Sequence, residues 1–236
     1  MSLLDVGSGQ IVANAEESER ASFIKRTYVH LAGAIAVFAV LETILIQSGV
    51  AAKLAPYMGG YAWLIVLGAF MLISTVANNW AHSGVSREKQ YMGLGLGILG
   101  YALIFMPMIL MAMMRDPSGT LLQNAAVVTA ALVGGLTFTA FSTKINFSFM
   151  GRFLMIGGFV ALGMIVASML FGFSLGLWFS GAMIIFAAGS VLYSTSNIIH
   201  EFNTQQHVAA SLSLFSSVGL LFWYILQFMM SMGGDD

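Results

Sequence analysis

Apolar residues in this chain run in long blocks broken by short clusters of charge, glycine and proline. Seven such blocks lie near residues 27–47, 60–77, 91–114, 121–143, 149–171, 176–197 and 208–232. A helix crossing the hydrocarbon core needs about 20 mostly apolar residues, so each block predicts one transmembrane span. The expected fold is all-α: a polytopic membrane protein built as a seven-transmembrane-helix bundle. The fifth and sixth blocks are separated only by the glycines of Phe171-Gly-Phe-Ser-Leu-Gly176, and a six-span reading that merges or buries one block stays open. The loops are short, which leaves an N-terminal tail (1–26), one helical unit (27–232) and a short C-terminal end (233–236).

Composition narrows the class further. Of 236 residues, 58% are hydrophobic and 8% charged, against about 25% charged in ordinary soluble domains. The 26 glycines and 17 methionines suit helices packed closely in lipid better than a ligand-binding glycine loop. Cysteine is absent, which excludes disulfides, thiol chemistry and cysteine-held metals. A net charge of -1 offers no basic footprint for nucleic acid. No Ser, His and Asp grouping, zinc motif or phosphate loop appears, so no enzyme, cofactor or metal site is expected. No lysine follows Lys144, which argues against a retinal Schiff base.

Charge also orients the chain. Residues 16–19 are acidic where a signal peptide would be basic, and the apolar stretch starts only afterwards, so residues 1–26 are expected to be a cytosolic tail. Asn14 followed by Glu17 has the spacing of a capping box. An interfacial helix running into the first span and a disordered tail are both compatible with this segment, and few apolar contacts are expected to tie it down. With the N-terminus inside, Arg20, Lys25, Arg26, Arg87, Lys89, Lys144 and Arg152 are cytosolic, and only Lys53 and Arg115 external. Seven spans then put the loop at 86–90 inside and Asp236 outside.

Ionisable groups at membrane depth are functional candidates. Glu42 qualifies: it lies roughly 22 Å along the first span, as an ion or proton site, a helix-to-helix hydrogen bond or a snorkelled carboxylate. On the sixth span Ser190, Ser194 and Asn197 recur at i, i+4, i+7 and share a face. On the seventh, Ser217, Tyr224, Gln227 and Ser231 all fall within about 40° of Ser213. Such stripes face protein or water, as interhelical hydrogen bonding or as pore lining. Pro107 is expected to kink the third span, as packing or as a gate. His30, His82, His200 and His207 all fall near the cytosolic face, either as pH sensors or as ordinary interfacial residues.

Several stretches resemble one family. Thr137-Phe-Thr-Ala-Phe-Ser-Thr-Lys-Ile-Asn-Phe-Ser-Phe-Met-Gly151, followed by Arg152-Phe-Leu154, resembles the segment between the fourth and fifth spans of the transmembrane Bax inhibitor motif family. Leu192-Tyr-Ser-Thr-Ser-Asn-Ile-Ile-His200 and Ala210-Ser-Leu-Ser-Leu-Phe215 are similar to the last helical pair of its bacterial YccA-like branch. Gly100-Tyr101 ahead of Pro107 and Lys25-Arg-Thr-Tyr28 agree as well.

The resemblance implies a bundle around a central last helix in the lipid bilayer of a bacterial inner membrane. It further implies either a pH-sensitive calcium or cation leak channel, or a regulator that binds and restrains a membrane-anchored AAA metalloprotease. The family's channel-forming members carry an acidic pair on the last two helices, and Ser194 and Ser217 stand at the matching positions here. Asn146 stands where an Asp is usual. The fold inference survives these departures, whereas the acid-pair mechanism does not transfer. The ion-path candidates are therefore Glu42, Ser194, Asn197, Ser213, Ser217 and Tyr224.

Overall fold

A computed structural model describes residues 10–84, 86–143 and 145–233 of the chain. The expectations for Lys144, for residues 1–9 and for Asp236 lie outside them. Eight α-helices follow one another: α1 (Glu17–Gln47), α2 (Val50–Leu54), α3 (Ala62–Ala81), α4 (Arg87–Arg115), α5 (Thr120–Ser142), α6 (Met150–Phe171), α7 (Gly176–His200) and α8 (His207–Met232). All but α2 are long and apolar enough to cross a membrane, and the protein is an integral membrane protein. The break between α6 and α7 is made by Gly172 at φ 72°, a left-handed cap that costs only glycine nothing.

Helices α4 and α8 form the buried centre; α1, α3, α5 and α7 pack against them, and α6 packs on the outside of α7. The contact of α3 with α4 is set by glycine. A Cβ on Gly93 would stand 2.5 Å from Ala81 N and 2.6 Å from Ala77 O, one on Gly97 would meet Leu212, and one on Gly100 would meet Ile73. Gly93 and Gly100, at i and i+7, thus let α3 approach α4 where lipid supplies no hydrophobic drive between helices, while Gly97 makes room for Leu212 of α8. α4 runs unbroken through Pro107, so the proline loses one backbone bond without ending the helix.

The N-terminal segment departs from the sequence expectations in two ways. Asn14 makes no capping box: α1 starts at Glu17, its N-cap Glu16 makes no side-chain capping bond, and Asn14 closes a 3-10 turn over Val12–Asn14. Nor is the segment loose. Val12 is fully buried in a cluster with Phe23 and Phe202. Val12 N donates to Phe202 O at 3.0 Å and Thr204 N to Gln10 O at 3.0 Å, so residues 10–12 strap the α7–α8 loop. Short-range pattern gave no hint of a partner about 190 positions away.

Candidate functional site

Two i, i+4 serine pairs face each other where α7 crosses α8. Ser194 Oγ lies 2.7 Å and Ser190 Oγ 3.0 Å from Ser217 Oγ. Ser213 Oγ donates to Ser194 Oγ at 3.4 Å, and Ser217 Oγ donates to Ser213 O at 3.2 Å. One proton arrangement serves all four: Ser190 and Ser194 donate to Ser217, Ser213 to Ser194, and Ser217 to the backbone. Ser194 and Ser217 are buried. The cluster is neutral, closed and fully hydrogen-bonded, and none of its groups titrates near neutrality.

Cavities lie at both ends of this cluster. Toward the end of the bundle that carries the N-terminus, a polar cavity of about 530 Å³ is lined by His82, Ser148, Tyr193, Asn197, Glu201 and Gln206. The Ser148 hydroxyl lies 3.1 Å from both Asn197 Oδ1 and Glu201 Oε1. Toward the opposite end, a cavity of about 460 Å³ has Trp63, Pro107, Trp223, Tyr224 and Gln227 in its wall. At 1.5 Å per residue, Ser194 is about 4.5 Å along α7 from Asn197, and Ser217 about 10 Å along α8 from Tyr224. Asn197 therefore does not join Ser190 and Ser194, although it shares their helix face. It sits in the first cavity, and Tyr224 in the second. Pro107 lines that second cavity.

Glu42 is buried in α1, and neither carboxylate oxygen has a hydrogen-bond partner among the described residues. It neither snorkels nor bridges two helices. An unpaired ionised carboxylate in an apolar interior is costly, so this group calls for a proton or a cation.

The four histidines lie at the N-terminus-bearing end but do not form one group. His30 and His207 meet edge to face, with ring centroids 5.0 Å apart, tying the first helix to the last. His30 Nδ1 donates to Arg26 O at 2.7 Å, and its Nε2 lies 3.0 Å from the Tyr91 hydroxyl. Arg87 donates to His207 Nδ1 at 3.4 Å and to Gln205 O at 2.8 Å. His82 bonds Asn78 O and packs on Phe202, while His200 bonds Ser196 O. Arg87, Tyr91, Ser148 and Glu201 were not singled out from sequence as site residues. Their partners lie 49 to 120 positions away, and no local period reports such a contact. Asn146 accepts from Ser148 N at 2.9 Å and caps the Phe147–Phe149 turn. No group of three His, Asp or Glu side chains that could hold a metal is found among the described residues.

The sequence model of one family, described as inhibitor of apoptosis-promoting Bax1, matches residues 20–234. The uncharacterized protein PA2604 of Pseudomonas aeruginosa is 29% identical over 227 residues, covering 95% of this chain and 96% of that protein. Protein LIFEGUARD 4 of Arabidopsis thaliana is 30% identical over 216 residues, 88% of this chain and 83% of its own. The uncharacterized protein NMA0420 of Neisseria meningitidis is 24% identical over 178 residues, 75% of each chain. No solved structure matches the chain.

Proposed function

The chain belongs to the Bax inhibitor family, and from that premise we propose that it is a cation leak protein of a bacterial inner membrane, held here in a closed state. The observation that carries this reading is the order along α7 and α8: polar cavity, serine cluster, second cavity. Breaking the three hydroxyl bonds between the helices by sliding α7 past α8 joins the two cavities with no covalent or charge rearrangement. The freed hydroxyls, Asn197, Tyr224 and Gln227 then offer oxygen ligands to a partly hydrated cation. With no carboxylate in the cluster, calcium binds weakly and permeation is leak-like. The N-terminus faces the cytosol, and the His30–His207 contact sits on that side.

Flux into dye-loaded liposomes carrying pure protein tests this. The native protein passes calcium and monovalent cations with little change between about pH 6 and 8 beyond what its histidines contribute. Ser194→Asp with Ser217→Asp brings in pH dependence and tighter divalent binding, because two close carboxylates do not both ionise easily. No flux above protein-free liposomes refutes conduction. A steep native pH response that survives replacement of all four histidines refutes the serine argument.

A second reading, a non-conducting regulator of a membrane-anchored AAA protease, is favoured by the strapped N-terminus. Val12 fixes the start of α1, so exposed Glu16, Glu17 and Glu19 form a firmly held acidic face. Charge neutralisation of these three to Gln, with Val12 kept, then abolishes co-purification of the protease. Unchanged co-purification removes that face as the docking element.

A further inference from the structure

With cysteine absent, methionine supplies the only sulfur ligands in this chain. Five of them, Met58, Met108, Met111, Met169 and Met230, line the cavity of about 460 Å³ at the end of the bundle opposite the N-terminus. They are five of its sixteen wall residues, where 17 methionines spread evenly over 236 positions would supply about one. The apolar cavity of about 500 Å³ between α1 and α5 has none in its wall, nor has the polar cavity around Asn197. A methionine in a packed core serves to fill an irregular gap. These five surround a space and leave it open.

They come from four separate parts of the fold. Met58 ends the 3-10 turn Ala55–Met58 that joins α2 to α3. Met108 and Met111 stand at i, i+3 on α4 and so share a face. Met169 and Met230 each precede the last residue of their helices, α6 and α8, by two positions. At 1.5 Å per residue, Met111, Met169 and Met230 lie within about 6 Å of their helix ends, at the depth of the membrane interface. Met108 is buried and Met111 exposed, so thioethers run from the rim of the cavity to its back.

The chemistry of the wall selects among ligands. No Lys, Arg, His, Asp or Glu lines it, and its only side-chain oxygens belong to Tyr224 and Gln227. A hard dication would exchange its water for one hydroxyl and one amide, far short of the six or so oxygens it takes. A soft ion finds five polarizable sulfurs. Because thioethers are neutral, a single charge is brought out of water at much less cost than a double one. Trp63 and Trp223, stacked with ring centroids 6.2 Å apart, stand in the same wall, and an indole face within about 6 Å adds cation–π attraction. Each methionine has three rotatable bonds, so the sulfurs can close on an ion without movement of the helices.

We propose that this cavity is a binding site for a soft monovalent metal ion, copper(I), held by thioethers of Met58, Met108, Met111, Met169 and Met230 beside the indoles of Trp63 and Trp223. On the N-inside orientation the site opens toward the outside of the membrane. It requires no passage through the serine cluster. Binding is measured without flux, so this site and the conduction reading fail separately.

The test uses the full chain in detergent micelles, with silver(I) as a redox-inert probe and copper(I) itself, kept reduced, in competition with a chromogenic copper(I) chelator. Saturable binding of one equivalent is expected, accompanied by quenching of tryptophan fluorescence. Calcium and zinc in equal amount should not displace it. Met108→Leu with Met111→Leu should weaken binding at least tenfold, and Leu at all five positions should abolish it. Methionine to leucine nearly conserves volume, so melting temperatures should stay close to native. Should the fivefold variant fail to fold, the α4 pair carries the comparison. The matched control replaces Met71, Met92 and Met155, all exposed and outside the cavity, and should bind as native. Native affinity in the α4 pair and in any fivefold variant that folds overturns the site. Equal loss in the control shows diffuse binding to surface methionines and overturns it as well. The four histidines are the other soft-metal candidates, and loss of binding on replacing them would put the ion at the opposite end of the bundle and refute the thioether assignment.

Discussion

Gly93→Ala adds one methyl group at the closest backbone approach in the bundle. The new Cβ would stand 2.5 Å from Ala81 N, 2.6 Å from Ala77 O and 3.0 Å from the carbonyl carbon of Trp80. All three are backbone atoms, so no side chain can swing aside, and the last turn of α3 must retreat by roughly 1 Å in an interior packed as tightly as a crystal. Overpacking of this kind costs about 1–3 kcal/mol. Alanine recovers about 1 kcal/mol over glycine in a helix interior, so the clash wins. Gly95→Ala is the matched control: it sits one turn-half away on the same helix, and its Cβ meets nothing within 4 Å, which leaves only the propensity gain. The propensity gain is common to both, so thermal or denaturant unfolding in micelles should separate the two variants by the clash alone, about 1–3 kcal/mol, Gly93→Ala the weaker. Because Ala77 and Ala81 belong to the same core cluster as Leu212, loosening should spread to α8. Equal stability of the two variants would refute the claim that this glycine sets the spacing of α3 and α4.

Three further outcomes follow from local geometry. Asp116 is held below the usual carboxylate range by the Ser118 hydroxyl and by the Leu121 N–H, which donates at 2.7 Å. With a lowered folded pKa, its contribution is present above about pH 4 and lost as pH falls. Asp116→Asn should thus melt lower than native at pH 7, with the gap closing in acid, and a gap constant with pH counts against the cap. Deleting residues 1–14 removes the fully buried Val12 and its bond to Phe202. It should cost about 1–3 kcal/mol, so an unchanged melting temperature would show that the strap is not held in solution. On this cysteine-free background, Glu88→Cys should label from the cytosolic side only and Pro117→Cys from the outside only. The reverse pattern sinks the N-inside orientation.

The seven spans were legible because hydrocarbon thickness fixes how long an apolar run must be, and every block from 27–47 to 208–232 has its helix. Helical period likewise put Ser190 with Ser194 and Ser213 with Ser217 on common faces, because rotation per residue is a local property. Which residues meet across helices was decided by the register and rotation of one helix against another. That is why Asn197 turns to Ser148 while Ser194, one turn away, bonds Ser217. It is also why Glu42 reads in sequence as equally able to snorkel, bridge or bind, and only packing leaves both its oxygens unpaired. Arg87 entered the sequence analysis as a topology charge, and its bonds to Gln205 and His207 exist because α4 and the α7–α8 loop end at the same level.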